Sequence, residues 1–254
     1  MQELYFINFL YYNVRIVKDF EIPMKIAFIG AHPDDETLIS GLLRNNKKLG
    51  GKNYIFCATK GGKGSVTPQL SKKINKNLTN IREEEYQNSC NFLGVEKNHR
   101  IILNYEDGKM YFLGRKLEKE LEKHIEKFLI KARADVVISF RKEDGFTGHT
   151  DHIKIAEITY KVVKKIGLRA IAVVPPPFKI CPEFYKSLKN KRTHANYIDN
   201  PDFIEPNIHF GKIPKSEKLA SMKIHKSQPS IIPHYFLPND EAEYFLKNEY
   251  FYEG

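Results

Sequence analysis

Two short stretches of this 254-residue chain hold side chains that can do chemistry together. In the first, His32, Pro33, Asp34, Asp35 and Glu36 put an imidazole and three carboxylates where an apolar run ends. In the second, "GHTDH", His149 and His152 stand three residues apart. His32 and Asp35 share that spacing, which presents both side chains to one side of a turn entering a helix. Two imidazoles and a carboxylate make a three-ligand zinc site with one position open, the pattern of catalytic rather than structural zinc, so His32, Asp35 and His152 are the expected ligands. A cation and a nearby helix N-terminus would both offset the repulsion among the crowded carboxylates. Asp34 is left as the expected general base for water polarised by the metal. His149, if protonated, would stabilise an oxyanion or protonate a leaving amine. The reaction class is metal-assisted hydrolysis of an amide or ester.

Taken singly, the first stretch also reads as a capped helix start with surface carboxylates. What raises it above that reading is the second cluster, provided the fold brings the two together. From Met24 onward, short β-branched runs alternate with amphipathic ones. "KIAFIGA", "NYIFCAT", "HRIILNY", "ADVVISF" and "RAIAVV" read as strands. Helices are expected at 37–49, from Asn80 to a stop at Gly94, at 114–132, and at 150–166 with a stop at Gly167. Such alternation implies right-handed crossovers and an α/β, Rossmann-like, mostly parallel sheet with helices on both faces. Ligands in such sheets bind beyond the carboxyl ends of the strands where the winding reverses, here between the first and fourth runs. The residues after "KIAFIGA" and after "ADVVISF" should therefore face each other across one crevice. Beyond Ala172 the chain turns Pro-rich and aromatic, and is expected to wrap the sheet and wall the pocket, with one helix in "KSEKLASMKIHKSQ". Residues 24–254 are expected to form a single domain and residues 1–23 an N-terminal extension.

Composition excludes several classes. Apolar residues make up 41% and charged residues 28%, ordinary for a globular chain and against long disorder or a membrane bundle. The net charge of +10 favours anionic partners. Its lysines lie in stretches of mixed sign such as "KLEKELEKHIEKFLIKAR", which read as solvated helix faces, so no nucleic acid is expected. The three cysteines are widely spaced and suggest neither a disulfide framework nor a metal clip, consistent with a reducing, cytoplasmic setting. "LYFINFLYYNVRIV" is too short and too rich in tyrosine to span a bilayer and lacks the marks of a signal peptide. It could serve as an interface in a homo-oligomer.

"AHPDDE" after the first strand, together with "GHTDH" after the fourth, resembles the LmbE-like, or PIG-L, family of N-acetylglucosaminyl deacetylases, over most of the chain from Met24 to about Gln228. The resemblance implies a zinc-dependent hydrolase, with another divalent metal as an alternative, that removes acetyl from the 2-amino group of a GlcNAc-containing substrate. By position it implies His32, Asp35 and His152 as zinc ligands, Asp34 as general base, His149 as electrophile, and Asp151 as a residue orienting a histidine. "REEEYQNSCNFLGV" and "NYEDGKM" match further motifs and imply substrate contacts for Arg82 and Asp107. "HKSQ" at 225–228 resembles a late signature with a structural role. Two departures stand out: the loop after the second strand reads "KGGKG" where the family often has Gly-Glu, and Thr150 replaces a common proline. The lysines of that loop, Lys60 and Lys63, suggest an anionic group on a small amino-sugar conjugate. Two other readings stay open: an amidase acting on another N-acylated conjugate, and a non-catalytic carbohydrate-binding protein with a structural metal.

Overall fold

The computed structural model describes residues 15, 16, 18–64, 66, 78–191, 196–198, 201–211 and 213–254. Most of the N-terminal extension and most of the lysine-rich stretch at 65–77 lie outside the described residues.

Eight strands form one sheet. In chain order they are β1 (Arg15–Ile16), β2 (Lys25–Gly30), β3 (Lys52–Thr59), β4 (Arg100–Tyr105), β5 (Val136–Phe140), β6 (Ala170–Val174), β7 (Ile208–Phe210) and β8 (Glu249–Tyr252). Across the sheet the order is β1-β7-β8-β6-β5-β2-β3-β4. The five runs expected as strands are β2 to β6, and every pair among them is parallel. β2 lies between β3 and β5, so the chain winds one way through β3 and β4 and the other way through β5 and β6. The reversal falls at the carboxyl ends of β2 and β5.

Parallel strands covered on both faces need apolar residues on both faces. β5 is buried throughout, and β2 and β3 are buried beyond their first residue. On one side α3 (Arg115–Ala132) packs on α4 (Thr150–Ile166), and both reach β2. A second group joins α1 (Ser40–Lys48), α2 (Leu78–Phe92) and α6 (Lys215–Ile224). Two more helices, α5 (Pro182–Lys191) and α7 (Asn239–Lys247), belong to the C-terminal portion. Gly167 ends α4 in the left-handed region at φ 69°, a conformation that costs glycine little.

Two expectations need correction. The C-terminal portion does more than wrap the sheet: it adds β7 and β8, and β8 runs antiparallel to both β6 and β7. These strands are three and four residues long, too short for an alternation to show. The helix expected at 37–49 also opens differently, as a 3-10 turn over Asp35–Ile39 followed by α1.

The opening of α1 is tied to the far end of the chain. Glu249 of β8 accepts from the Gly41 N–H at 2.8 Å and the Leu42 N–H at 2.9 Å, filling the donors that a helix start leaves free. Its carboxylate also meets Lys218 Nζ at 2.8 Å, with both side chains at most 1% exposed. Glu249→Ala leaves a buried ammonium with no carboxylate, only the Leu38 carbonyl at 3.0 Å, and two helix donors unpaired. It is expected to destabilise the fold by about 3–5 kcal/mol, read as a lower urea midpoint at unchanged slope.

Candidate active site

β2 ends at Gly30, and the next residues turn sharply. Asp34 sits at φ 116°, ψ −21°, a conformation non-glycine residues rarely adopt, and such strain persists only where the surroundings hold it. Here they do. Thr37 donates to the Asp34 carbonyl from both its N–H (3.0 Å) and its hydroxyl (2.7 Å). The Asp34 N–H donates to Glu36 Oε2 at 3.1 Å. Arg82 of α2 donates to the Pro33 carbonyl at 2.5 Å, the Gly61 carbonyl at 2.8 Å and Asp34 Oδ2 at 3.0 Å. Arg82 is thus a buried clamp joining the turns after β2 and β3, and its buried Nε has no partner among the described residues.

Glu36 is 1% exposed. Its Oε1 accepts from Ser89 Oγ at 2.5 Å and pairs with His225 Nε2 at 2.7 Å. Ser227, two residues on, donates its hydroxyl to Glu85 at 2.5 Å and its N–H at 2.8 Å. The "HKSQ" stretch therefore bolts the Asp34 turn and α2 to the C-terminal portion. Burial works against the charged forms of both Glu36 and His225, but their mutual attraction prevails, lowering the Glu36 pKa and raising that of His225.

On the β5 side, Asp144 pins the turn Gly145–Gly148 by accepting from the Phe146 N–H at 2.7 Å while pairing with Arg141 Nε at 2.6 Å. This turn delivers His149 as the N-cap of α4, with Asp151 and His152 in its first turn. His152 Nδ1 bonds the Gly145 carbonyl at 2.9 Å and the ring stacks on Phe140 at 4.0 Å, which turns Nε2 toward the crevice.

The two stretches meet. His32 Nδ1 and His152 Nε2 are 3.1 Å apart. The Asp35 carboxylate lies 3.2 Å from His152 Nε2 through Oδ1 and 3.9 Å from His32 Nδ1 through Oδ2. Donors about 2.1 Å from a tetrahedral cation stand about 3.4 Å from one another, a spacing that the His32–His152 and His152–Asp35 Oδ1 separations approach, and all three residues are donor types that a divalent metal accepts. Their outer atoms are already engaged. Asp35 Oδ2 accepts from the Ala31 and His32 N–H groups, both at 2.8 Å. His32 Nε2 meets Asp151 at 3.2 Å and Asp107 at 3.0 Å. Asp151, wholly buried, is itself held by the Gly108 N–H at 2.7 Å and the Met110 N–H at 3.0 Å. Nitrogens of His32, His149 and His152 also lie within 4.8 Å of one another, so His149 borders the same point.

Electrostatics separate the adjacent aspartates. Burial pushes both upward, but His152 and His32 hold Asp35 far below the usual carboxylate range. For Asp34, burial outweighs the pull of Arg82, His225 and His32, and its pKa rises to about 6. Burial opposes charge on His32 too, yet bonds to Asp107 and Asp151 raise its pKa well above the ordinary value. His149 goes the other way, down to about 2, through burial and the nearness of His32 and His152. Its Nδ1 accepts from the Asp151 N–H at 3.2 Å, which leaves the ring proton on Nε2. The sequence reading considered a protonated His149; the geometry sets the ring to donate from Nε2.

Arg82 and Asp107, expected to touch substrate, are both committed to protein. Asp107 spends one oxygen on His32 and the other on the Lys63 N–H at 2.7 Å, although it lines the crevice with Arg82. Lys60 is paired with Glu83 at 2.5 Å and Lys63, which lines the cavity, with Glu106 at 3.1 Å. Sequence reasoning missed Tyr197, whose ring meets that of His149 edge-on at 5.0 Å. It missed Asn196 as well, whose carbonyl accepts from the Thr150 N–H at 2.8 Å. Neither carries a spacing signal, because both reach the site from a distant segment. The cavity beside these residues measures about 570 Å³, within the range of small-molecule sites.

The match to relatives is partial. Over 165 residues the chain is 26% identical to a 1D-myo-inositol 2-acetamido-2-deoxy-alpha-D-glucopyranoside deacetylase from Corynebacterium urealyticum, covering 57% of this chain and 49% of that one. Over 147 residues it is 28% identical to a probable N-acetylglucosaminyl-phosphatidylinositol de-N-acetylase from Dictyostelium discoideum, covering 56% and 51%. The chain thus spans about half the length of each. A solved N,N'-diacetylchitobiose deacetylase from Pyrococcus horikoshii superposes with a TM-score of 0.59 at 22% identity, over 93% of this chain and 86% of that one, which is a likeness of fold. Residues 27–163, more than half of the chain and the span holding both histidine clusters, match the family model described as PIG-L: GlcNAc-PI de-N-acetylase, and the chain belongs to that family.

Proposed function

We propose that the protein is a zinc-dependent hydrolase that removes the N-acetyl group from a GlcNAc-containing substrate and releases acetate. The observation that carries this reading is the convergence of His32, Asp35 and His152 beside a strained, partly neutralised Asp34, at the mouth of one cavity. Zinc, or another divalent cation held by those three residues, would polarise the acyl carbonyl and favour ionisation of the attacking water.

The chain's own residues supply the rest. Asp34, held by Arg82, takes the proton of the attacking water. His149 donates from Nε2 toward the oxygen on which charge develops, with Nδ1 anchored on the Asp151 N–H. Asp34 then carries the abstracted proton toward the departing nitrogen. Asp107 and Asp151 keep His32 turned so that Nδ1 faces the cation. Asn196, Tyr197, Lys63 and Gln228 line the cavity in which a sugar would reach the amide. Among the described residues no helix is long and apolar enough to cross a membrane.

Elemental analysis and acetate release from a panel of N-acetylated sugars test the proposal. About one metal per chain together with acetate release is expected. A chain that binds no divalent metal, or that releases no acetate when loaded, would sink it. Asp151→Asn should weaken metal binding roughly 10- to 100-fold, as loss of a histidine's outer partner does, measured by competition with a chromophoric chelator.

A further inference from the structure

The tie between the Asp34 turn and the C-terminal portion reaches further than packing requires. His225 and Ser227 follow α6, outside the span 27–163 that matches the family model. One face of α2 holds both them and the turn. Arg82, Glu85 and Ser89 recur at the three- and four-residue steps that share a helix face, and each is at most 8% exposed. Arg82 holds the Asp34 carboxylate and the Pro33 carbonyl, Glu85 holds Ser227, and Ser89 donates to Glu36.

The two oxygens of Glu36 do different jobs. Oε1 meets Ser89 Oγ at 2.5 Å and His225 Nε2 at 2.7 Å, while Oε2 accepts the Asp34 N–H at 3.1 Å. With Oε1 fixed from two sides, Oε2 is fixed too, and it sets the direction of the Asp34 N–H. Asp34 is where that direction matters. Its φ of 116° is strained, and a strained residue relaxes when a contact that holds it is removed. Relaxing toward the ordinary negative φ values moves Cβ, and carries the carboxylate from its place beside Arg82.

Stability alone does not account for the pair. Glu36 and His225 are each 1% exposed, and for ion pairs so buried the loss of hydration offsets much of the attraction, so that apolar side chains of the same volume often serve the fold as well. His225 Nδ1 is moreover buried with no partner among the described residues. What apolar side chains could not supply is a fixed acceptor for the Asp34 N–H.

Resting on the hydrolase reading above, we propose that His225 is a positioning residue for the general base: acting through Glu36, it holds Asp34 in the strained conformation that aims its carboxylate at the attacking water. The C-terminal portion then sets turnover as well as walling the cavity.

His225→Leu, similar in size but without a donor, tests this in the metal-loaded protein, with whichever N-acetylated sugar of the panel above is cleaved fastest. A displacement of about 1 Å can cost roughly 100-fold, so kcat should fall roughly 10- to 100-fold, with KM and metal per chain unchanged. His225→Gln, whose side-chain N–H can replace Nε2 as the donor to Glu36, should recover most of the loss. In Asp34→Asn, where no base is left to position, His225→Leu should cost nothing further. Unchanged kcat in folded His225→Leu overturns the proposal. So do losses that multiply in the double variant, or a fall in metal content that accounts for the lost turnover. Should His225→Leu not fold, Ser89→Ala, which removes the other donor to the same Glu36 oxygen, is read in the same way: a smaller loss of kcat is expected, and no loss overturns the proposal. Deuterium exchange separates this proposal from the hydrolase reading. If the parent cleaves no sugar in the panel, that reading fails, and exchange at the backbone amides of residues 34–37 still decides whether His225 holds the turn. Faster exchange in His225→Leu than in the parent supports the hold, and equal exchange overturns it.

Discussion

Replacing Asp34 by Asn is expected to cut turnover by roughly 10²- to 10⁴-fold, the usual contribution of a positioned general base, while metal content and folding stay as they are. Asn is the right probe for geometric reasons. It keeps an oxygen for the Arg82 guanidinium 3.0 Å away. It also tolerates a positive φ better than most residues, so the turn at φ 116° need not move. What it loses is the ability to take a proton. Retained turnover in a variant with full metal content would assign the base elsewhere. The pH profile gives a second reading. Asp34 works only when ionised, and burial raises it to about 6 against the pull of Arg82. A cation held by Asp35 and the histidines adds to that pull, so kcat/KM of the loaded protein should fall with decreasing pH along a limb at or below about 6.

His152→Ala should abolish metal binding at micromolar metal and, with it, activity. The affinity loss should exceed the roughly 10- to 100-fold that removal of an outer partner costs, because the donor itself disappears. His152 is unusually committed: Nδ1 is taken by the Gly145 carbonyl, the ring lies flat on Phe140, and only Nε2 is left, 3.1 Å from His32 and 3.2 Å from Asp35. Alanine also opens a hole beside Phe140, so His152→Gln serves as a control that fills the space. Elemental analysis of both folded variants decides the assignment. If both bind metal as the parent does, the cation is held instead by another set, of which His32 with Asp107 and Asp151 is the alternative that the geometry offers.

The central strands were legible because parallel strands covered on both faces read as mostly apolar runs, and β5, with β2 and β3 beyond their first residues, is buried throughout. Strand and helix alternation then fixed the winding reversal at β2 and β5, hence the meeting of residues about 120 positions apart. β7 and β8 were not legible. They are short, and β8 is a strand through pairing with β6 and β7, a relation that no local pattern carries.

At the site, residue type and spacing alone named the side chains that gather: His32, Asp34, Asp35, His149 and His152. Local chemistry suffices there, because a metal demands particular donors and a helix start presents them three residues apart. Tertiary structure decided what each group is free to do. It turned Arg82 and Asp107 inward as clamps, paired Lys60 and Lys63 with carboxylates, and bound Glu36 to His225 across 189 positions. It also split two neighbouring aspartates, one held strongly acidic by histidines and one raised by burial. Those outcomes depend on hydrogen bonds and dielectric set by segments far away in the chain, which is why adjacent letters of the same kind could not reveal them.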